Sequence, residues 1–541
     1  MSWWKDAVVY QIYPRSFYDS NGDGIGDLEG IIQKLDYLND GTKNSLGIDA
    51  IWLSPIYPSP MYDFGYDISD YNSIDSVFGD IPIFKRLLAE AHKRNIKIIL
   101  DLVINHTSHL HPWFLDSRSS KTSSKRDWYI WKDGIEGSEP NNFLAAFGGK
   151  AWTLDEKTGQ YYYHSFLDEQ PDLNWRNPEV KEAIFNMIKY WLDMDVDGFR
   201  LDVVNLFYKD SEWRDNPSRI FKGIRPYDRQ VHIYDRDQPE MHELLKDLRK
   251  LLDSYGDRMS VGEVMMDPPG KVSIPASYYG NNDELHMAFN FAFLYSFWGA
   301  ENFKKVIDEW QSALGLDNWP NYTLSNHDFR RHISRYYAGK NSIVRAKLTA
   351  LMLLTLRGTP FIYYGEEIGM ESERVSRNEL RDPVGIRYWP LHPGRDSERK
   401  PMAWDDSYSG GFTKGKPWLP VYSKYERRNV NLLKSEESSI WNFYRNLIHL
   451  RKSSDVLKKG TIETFISPDK NILYYKRSYE GVENYIFLNF SSEACVINIP
   501  PDWQTKKIII DNLTITSMNS NFQESKIFTM LPYQAILLGD Q

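Results

Sequence analysis

The 541-residue chain has a single cysteine, Cys495, so no disulfide can form within it and no multi-cysteine metal site can be built. It has no long apolar run either. The best stretch, residues 348–356, falls far short of the ~20 residues of a membrane-spanning helix, which excludes a helical membrane protein. The first residues, Met1-Ser2-Trp3-Trp4-Lys5-Asp6, lack a basic stretch followed by an apolar segment, so no secretory signal is read and a cytoplasmic location is expected. Positive charge is also in short supply: 65 Lys and Arg stand against 74 Asp and Glu, a net charge of -9, with the basic residues spread along the chain. A phosphate backbone is a poor partner for such a surface, so no nucleic acid is expected. Repeats and low-complexity tracts are absent.

Aromatic rings are plentiful, with 18 Trp, 35 Tyr and 26 Phe. Rings with one polar edge suit both packed cores and flat amphipathic ligands such as sugars, so composition alone names no substrate.

Short apolar runs alternate with amphipathic helical stretches, the pattern of parallel strands with crossover helices. Strands are expected at 8–13, 50–53, 97–103, 198–202, 259–263, 285–290, 322–325 and 360–364, and helices at 83–93, 180–192, 241–252, 302–314 and 343–356. Eight strands in this order fit an α/β fold, a closed (β/α)8 TIM barrel, better than an open sheet. Two stretches interrupt the alternation. Residues 106–175, too long for an ordinary βα loop, are read as a small domain inserted after strand 3. Residues 369–435, rich in Arg, Pro, Gly and Trp, read as a long lid-like loop region. From about residue 459 the pattern becomes alternating runs without helices, an all-β terminal domain. The expected organisation is therefore barrel at 1–105, insert at 106–175, barrel at 176–458 and C-terminal β domain at 459–541.

In such a barrel, chemistry sits where strands end. The third strand runs into Asp101-Leu102-Val103-Ile104-Asn105-His106, the fourth is Gly198-Phe199-Arg200-Leu201-Asp202, the fifth ends Gly262-Glu263 and the seventh Ser325-Asn326-His327-Asp328. Three strands each deliver a carboxylate, Asp202, Glu263 or Asp328, to one rim. Two carboxylates flanking a bond, one ionised and one protonated, are the equipment of glycoside hydrolysis. Arg200 precedes Asp202 by two residues and so faces the same side of the strand, where its charge can keep Asp202 ionised. Glu263, after apolar Val261 and small Gly262, is placed for desolvation, and a charged Asp328 nearby would help hold its proton. Taken singly, each acid could equally be a helix N-cap or a surface ion-pair partner.

These segments resemble the alpha-amylase superfamily, specifically the α-glucosidase and oligo-1,6-glucosidase branch of glycoside hydrolase family thirteen. The likeness also covers Gln11-Ile12-Tyr13-Pro14-Arg15-Ser16-Phe17, Gly358-Thr359-Pro360 to Gly365-Glu366-Glu367, and Arg399-Lys400-Pro401-Met402-Ala403-Trp404. The resemblance implies a retaining double displacement, with Asp202 as nucleophile, Glu263 as general acid/base and Asp328 as transition-state stabiliser. It also implies that His106 and His327 hydrogen-bond the first sugar beside Arg200, and that Tyr66 stacks under that sugar. Asp63 and Arg399 resemble the acid and arginine that close the far end of the pocket, making the enzyme exo-acting on short α-glucosides. Gln170-Pro171-Asp172-Leu173-Asn174 looks like the signature of the oligo-1,6-glucosidase branch, with Phe166 as a pocket wall. Val203 resembles the residue that accompanies α-1,6 preference. The usual Arg-Thr-Pro-Met-Gln-Trp is Arg-Lys-Pro-Met-Ala-Trp here, and Phe329-Arg330 replaces the common Gln-Pro, which leaves acceptor and linkage choice open.

The segment Asp19-Ser20-Asn21-Gly22-Asp23-Gly24-Ile25-Gly26-Asp27 places oxygen side chains at alternate positions with glycines for a tight turn. Gly30 stands where an EF-hand needs Glu. The family carries a structural metal here, and the resemblance implies a calcium or magnesium ion on Asp19, Asn21, Asp23, the Ile25 carbonyl and Asp27, with no organic cofactor. A metal-free Asx-rich turn is the alternative. The histidines at 106, 109 and 111 lack the accompanying motif of a zinc site. Arg330-Arg331-His332 and Arg335 read as a solvated or acid-paired face. The expected partner is a small oligosaccharide or disaccharide, and oligomeric state is not legible. The rival readings are an α-transglucosylase or sucrose isomerase working through the same intermediate, and a non-catalytic homologue, against which the presence of all three acids argues.

Overall fold

The computed structural model describes residues 2–220, 223–498, 506–513 and 527–540. Eight parallel strands form its centre: β1 (Val9–Ile12), β2 (Ala50–Leu53), β3 (Lys97–Leu102), β4 (Gly198–Leu201), β5 (Met259–Gly262), β6 (Met287–Ala288), β7 (Asn321–Thr323) and β8 (Thr359–Tyr363). Their spatial order is β7-β8-β1-β2-β3-β4-β5-β6, with every neighbouring pair parallel. The two ends of this order meet at a seam that a side chain bridges, where Asn321 Nδ2 donates to the Ala288 carbonyl at 2.7 Å. The sheet is thus a nearly closed barrel. Its strands read as unbroken apolar runs because both faces are covered, one by the barrel interior and one by helices.

The helices fall where apolar periodicity places them. Helix Ile81–Lys93 buries Phe84, Leu87, Leu88 and Ala91, spaced three and four residues apart on one face, and Asp80 caps it by accepting from the Ile83 amide at 2.8 Å. Asn177 likewise caps Pro178–Leu192. Helix Ser342–Thr355 differs, because residues 348–355 are buried on all sides. Its outer face is covered by a C-terminal five-stranded antiparallel sheet, which ties to it through the Thr355 and Tyr475 hydroxyls at 2.6 Å.

That sheet contains Thr461–Ile466, Ile472–Tyr479, Val482–Asn489, Lys507–Asp511 and Ala535–Gly539, and Cys495–Asn498 pairs with Ile527–Met530 beside it. Residues 499–505, 514–526 and 541 of the segment read as a terminal β domain lie outside the described residues, as does Met1. Between β3 and β4 the chain forms a small antiparallel sheet of Trp131–Lys132, Gln160–Tyr163 and Trp152–Asp155. The stretch after β8 is more structured than a bare loop, holding the short helices Pro383–Tyr388 and Val430–Ser435. No described helix is long and apolar enough to cross a membrane.

Candidate active site

Parallel register sets the first pair of charges. Asp101 on β3 lies opposite Arg200 on β4, so their side chains enter the barrel together, and Arg200 Nη1 donates to Asp101 Oδ1 at 2.7 Å. The same nitrogen donates to Asp202 Oδ1 at 2.7 Å, and Nη2 donates to Glu263 Oε2. One buried guanidinium therefore bridges the acids leaving β4 and β5. Both acids are held at the strand ends by main-chain bonds, from the Asp202 amide to Leu102 O and from the Glu263 amide to Leu201 O.

Asp328 arrives from β7 through a turn in which Asn326 Oδ1 accepts from the amides of Asp328 and Phe329, each at 2.9 Å. Its Oδ1 accepts from Arg399 Nη2 at 2.9 Å and Arg395 Nη1 at 3.3 Å, and its Oδ2 lies 3.4 Å from His327 Nε2. The Tyr66 and His327 rings are nearly parallel, with an interplanar angle of 2° and centroids 5.3 Å apart. The Tyr66 hydroxyl meets His327 Nε2 at 2.6 Å and Asp101 Oδ2 at 3.1 Å, and Gln11 Nε2 donates to His327 Nδ1 at 2.8 Å. His106 is engaged at both nitrogens too, by the Tyr66 carbonyl at 3.0 Å and by Asn105 Nδ2 at 3.1 Å. Burial lowers the pKa of both histidines, His327 to about 3, so both rings are neutral.

Two arginines divide the far wall between them. Asp63 is gripped by Arg395, whose Nη2 lies 2.7 Å from Asp63 Oδ1, whereas Arg399 turns to Asp328 and to the His327 carbonyl at 3.0 Å. Asp382, fully buried, accepts from Arg395 Nε at 2.7 Å and fixes that side chain. Gln170 Nε2 donates to Asp63 Oδ2 at 3.2 Å and also lies 3.1 Å from His106. The Arg395 guanidinium stacks over Phe147 of the insert at 4.6 Å, and Phe147 in turn packs against Phe166. Phe166 also meets the His106 ring edge-on at 5.3 Å and shares an apolar cluster with Val203, Leu206 and Tyr227. Val203, directly after Asp202, holds φ 36 and ψ 47, a left-handed conformation that strains a β-branched residue.

Charge and burial separate the acids. Glu263 is pushed up to about 8, chiefly by burial, with Arg200 opposing and the Asp202 and Asp328 charges reinforcing. Asp202 rises to about 7 by burial, with Arg200 opposing and Asp101 adding to the rise. Burial acts to raise Asp328 as well, but the charges of Arg395, Arg399 and Arg200 outweigh it and hold that carboxyl well below the ordinary range. In the Asp202–Glu263 pair the proton belongs on Glu263, whose hydrogen bond to Asp202 raises the one group and lowers the other. The rim thus offers one charged acid, one protonated acid and a carboxylate between them in acidity.

Sequence reasoning brought Asp202, Glu263, Asp328, Arg200, His106, His327, Tyr66, Asp63, Phe166, Val203 and Arg399 together, and the structure clusters them all. It missed Asp101, Gln11, Arg395 and Asp382. A charged residue inside the apolar β3 run was the signal for Asp101, while Arg395 sits in aperiodic sequence that carries none. The reading of Arg330, Arg331, His332 and Arg335 as a solvated or acid-paired face fails at Arg331, which is buried on carbonyls, while His332 is buried beside an acid. Arg331 donates to the Glu398 carbonyl at 3.1 Å and His332 lies 3.5 Å from Glu366.

In the loop at residues 19–27, Asp19 accepts from the amides of Asn21, Gly22 and Gly24, and Asn21 and Asp23 each accept from the amide two residues on. Asp27 accepts from Ser20 and Gly30. Among the described residues no three His, Cys, Asp or Glu side chains converge closely enough to hold a metal by themselves. The donor set fits a hard cation only if Asn21 and the Ile25 carbonyl join the aspartates: Asn21 Oδ1, Asp23 and Asp27 Oδ1 each keep a lone pair, whereas Asp19 already accepts from Asn21, Gly22, Gly24 and Thr413 and would have to give up one of these bonds.

The alpha amylase catalytic domain model matches residues 11–460, and the chain belongs to the alpha-amylase family. As a member of that family it is a glycoside hydrolase. It is 40% identical over 567 residues to an oligo-1,6-glucosidase of Parageobacillus thermoglucosidasius, covering 98% of each chain. It is 41% identical over 509 residues to a probable alpha-glucosidase of Rhizobium meliloti strain 1021, covering 92% of this chain and 91% of that one. The crystal structure of the alpha-glucosyl transfer enzyme XgtA superposes with a TM-score of 0.93 at 37% identity, covering both chains fully.

Proposed function

We propose that the protein is a retaining, exo-acting α-glucosidase that releases α-glucose from the non-reducing end of short α-glucosides. The observation that carries this is the single guanidinium of Arg200 touching both Asp202 and Glu263, a bridge that suits the ~5 Å spacing of a retaining pair better than the wider gap an inverting enzyme needs. Asp202 attacks the anomeric carbon while Glu263 gives its proton to the leaving oxygen, forming a β-glucosyl ester. Glu263, now a carboxylate, takes a proton from water, whose oxygen attacks the same carbon and frees Asp202. Asp328, kept ionised by Arg395 and Arg399, faces the positive charge that develops on the sugar. Asp63, Arg395, Gln170 and His106 form the closed end, which supports trimming of chain ends, and Tyr66, His327, Phe166 and Val203 complete the pocket.

The test is parallel turnover of maltose, isomaltose, sucrose and trehalose with products followed by NMR. α-Glucose as the first sugar released, abolished by Asp202→Asn, supports the reading; β-glucose first, or undiminished turnover in that variant, defeats it. The likeness to an alpha-glucosyl transfer enzyme favours a second reading, in which a sugar rather than water takes the glucosyl group. Oligosaccharides or rearranged sucrose dominating at high substrate would select it. Calcium or magnesium at the loop of Asp19, Asn21, Asp23, Ile25 and Asp27 belongs to the same proposal as a structural ion that supplies no chemistry, and so does a cytoplasmic location.

A further inference from the structure

Lys209 lies seven residues beyond Asp202, on the loop leaving β4, and its side chain is wholly buried against an equally buried Asp172. The ammonium has three donors and three acceptors: Asp172 Oδ2 at 2.5 Å, Asn105 Oδ1 at 3.2 Å and the Leu206 carbonyl. Those acceptors belong to three different parts of the chain. Asn105 follows β3 and donates to Asp172 Oδ2 at 3.0 Å while its Nδ2 also faces His106 Nδ1. Asp172 is in the returning arm of the insert, where it accepts from the Ser165 amide at 2.8 Å and the Ser165 hydroxyl at 2.6 Å. Ser165 immediately precedes Phe166, and Asp172 pairs with His106 as an isolated antiparallel bridge. Leu206 donates its amide to the Val203 carbonyl, next to Asp202. None of these groups has a part in the bond-making steps.

We propose that Lys209 is a positioning residue: through Asp172 and Asn105 it fixes His106 and the Phe166 wall of the insert against the loop that carries Asp202 and Val203. The inference rests on the glucosidase reading of the site. A buried cation of this kind is costly unless fully paired, and removing one partner strands the other, so simple loss of stability must be separated from loss of placement.

Lys209→Met, Lys209→Arg and the double variant Lys209→Met/Asp172→Asn make that separation, each measured for melting temperature and for KM and kcat on the disaccharide the wild type turns over best. Lys209→Met leaves Asp172 unpaired and should lose melting temperature and about 100-fold in kcat/KM. The double variant strands no charge, so its melting temperature should return to within a few degrees of wild type while KM stays raised about 10-fold and kcat falls less than about threefold. Lys209→Arg keeps the charge but cannot place its planar donors on the same three acceptors, and should show the same raised KM in a protein that melts normally. Recovery of KM together with melting temperature in the double variant, or a wild-type KM in Lys209→Arg, overturns the proposal. Absence of glucose release by the wild type on every disaccharide would instead defeat the glucosidase reading, and glucose binding by calorimetry would then report the placement directly.

Discussion

Replacing Glu263 by Gln should both end turnover and stabilise the protein, and the second effect carries the sharper test. Burial, together with the charges of Asp202 and Asp328, lifts Glu263 from 4.5 to about 8. An acid whose folded pKa lies above its unfolded value weakens the fold as pH rises through that window, because the unfolded chain gives up a proton that the folded one keeps. At 1.36 kcal/mol per unit the penalty reaches about 3 kcal/mol at pH 7 and about 5 kcal/mol above pH 8, and it vanishes below about pH 4.5. Glutamine has the shape of the protonated acid, can still accept from Arg200 and donate to Asp202, and does not titrate.

The melting temperature of Glu263→Gln relative to wild type should therefore be unchanged near pH 4.5 and climb steadily to several degrees at pH 8.5, as followed by calorimetry in buffers of one ionic strength. A difference that is flat with pH, or negative at alkaline pH, refutes the desolvated, protonated acid. The wild type's kcat/KM should meanwhile be bell-shaped, with limbs near 7 and 8 that belong to the coupled Asp202–Glu263 pair. An alkaline limb below about pH 6 would contradict the same argument.

Three further outcomes follow from particular contacts. Arg395→Met strands Asp63 and Asp382, leaves Asp328 to Arg399 alone and should cut kcat/KM by about 100-fold or more, whereas Arg399→Met, which leaves the Asp63 grip intact, should cut it less; equal effects in disaccharide assays would undo the division of labour between the two arginines. Val203→Gly relieves a left-handed β-branched backbone but also empties part of the apolar cluster with Phe166 and Leu206, and it should change the ratio of isomaltose to maltose turnover by about threefold to tenfold; an unaltered ratio would separate Val203 from linkage choice. Chelation should lower the melting temperature of the wild type but not of Asp23→Ala if the loop at 19–27 holds a cation, and metal analysis of the untreated protein checks the same point.

The barrel was readable because buried parallel strands have no solvent face, so each shows as a short apolar run ended by the polar residues of the rim. Two strands are poorly bounded: that read at 285–290 shrinks to Met287–Ala288 before the chain turns into the helix Ala292–Tyr295, and that read at 322–325 becomes Asn321–Thr323. The three acids were readable for the same reason as the strands that carry them. Arg395 was not, since it reaches Asp63 across 332 residues from a segment without periodicity, and nothing local distinguishes it from Arg399 four residues on. Lys209 and Asp172 were invisible as a pair, because a lone lysine in a loop reads as solvated until the fold encloses it. The same gap explains Arg331, whose neighbours in sequence suggested a charged surface while tertiary packing put it beneath the Tyr363 and Tyr364 rings.

The balance of charge in the cavity ties the geometry to the reaction. Six acids, Asp63, Asp101, Asp202, Glu263, Asp328 and Asp382, face three arginines, Arg200, Arg395 and Arg399, while both histidines are neutral. With a proton on Glu263 the excess is still negative. Burial chiefly, and the neighbouring acids in addition, push Asp101, Asp202 and Glu263 upward, and the same negative excess favours any step that places positive charge among these groups. An oxocarbenium-like sugar is such a charge, and it forms as Glu263 gives up its proton. The two arginines beside Asp328 keep it ionised throughout, so the stabilising charge is in place before the bond breaks rather than created by it. Arg200 then serves two acids in turn, since Asp202 loses its charge on forming the ester as Glu263 gains one. A neutral substitution of Arg200 should accordingly slow both glucosyl transfer to Asp202 and release from it, each by about 100-fold or more in single-turnover measurements with a fast-leaving donor. Loss confined to one of the two steps would mean that the guanidinium serves only one acid.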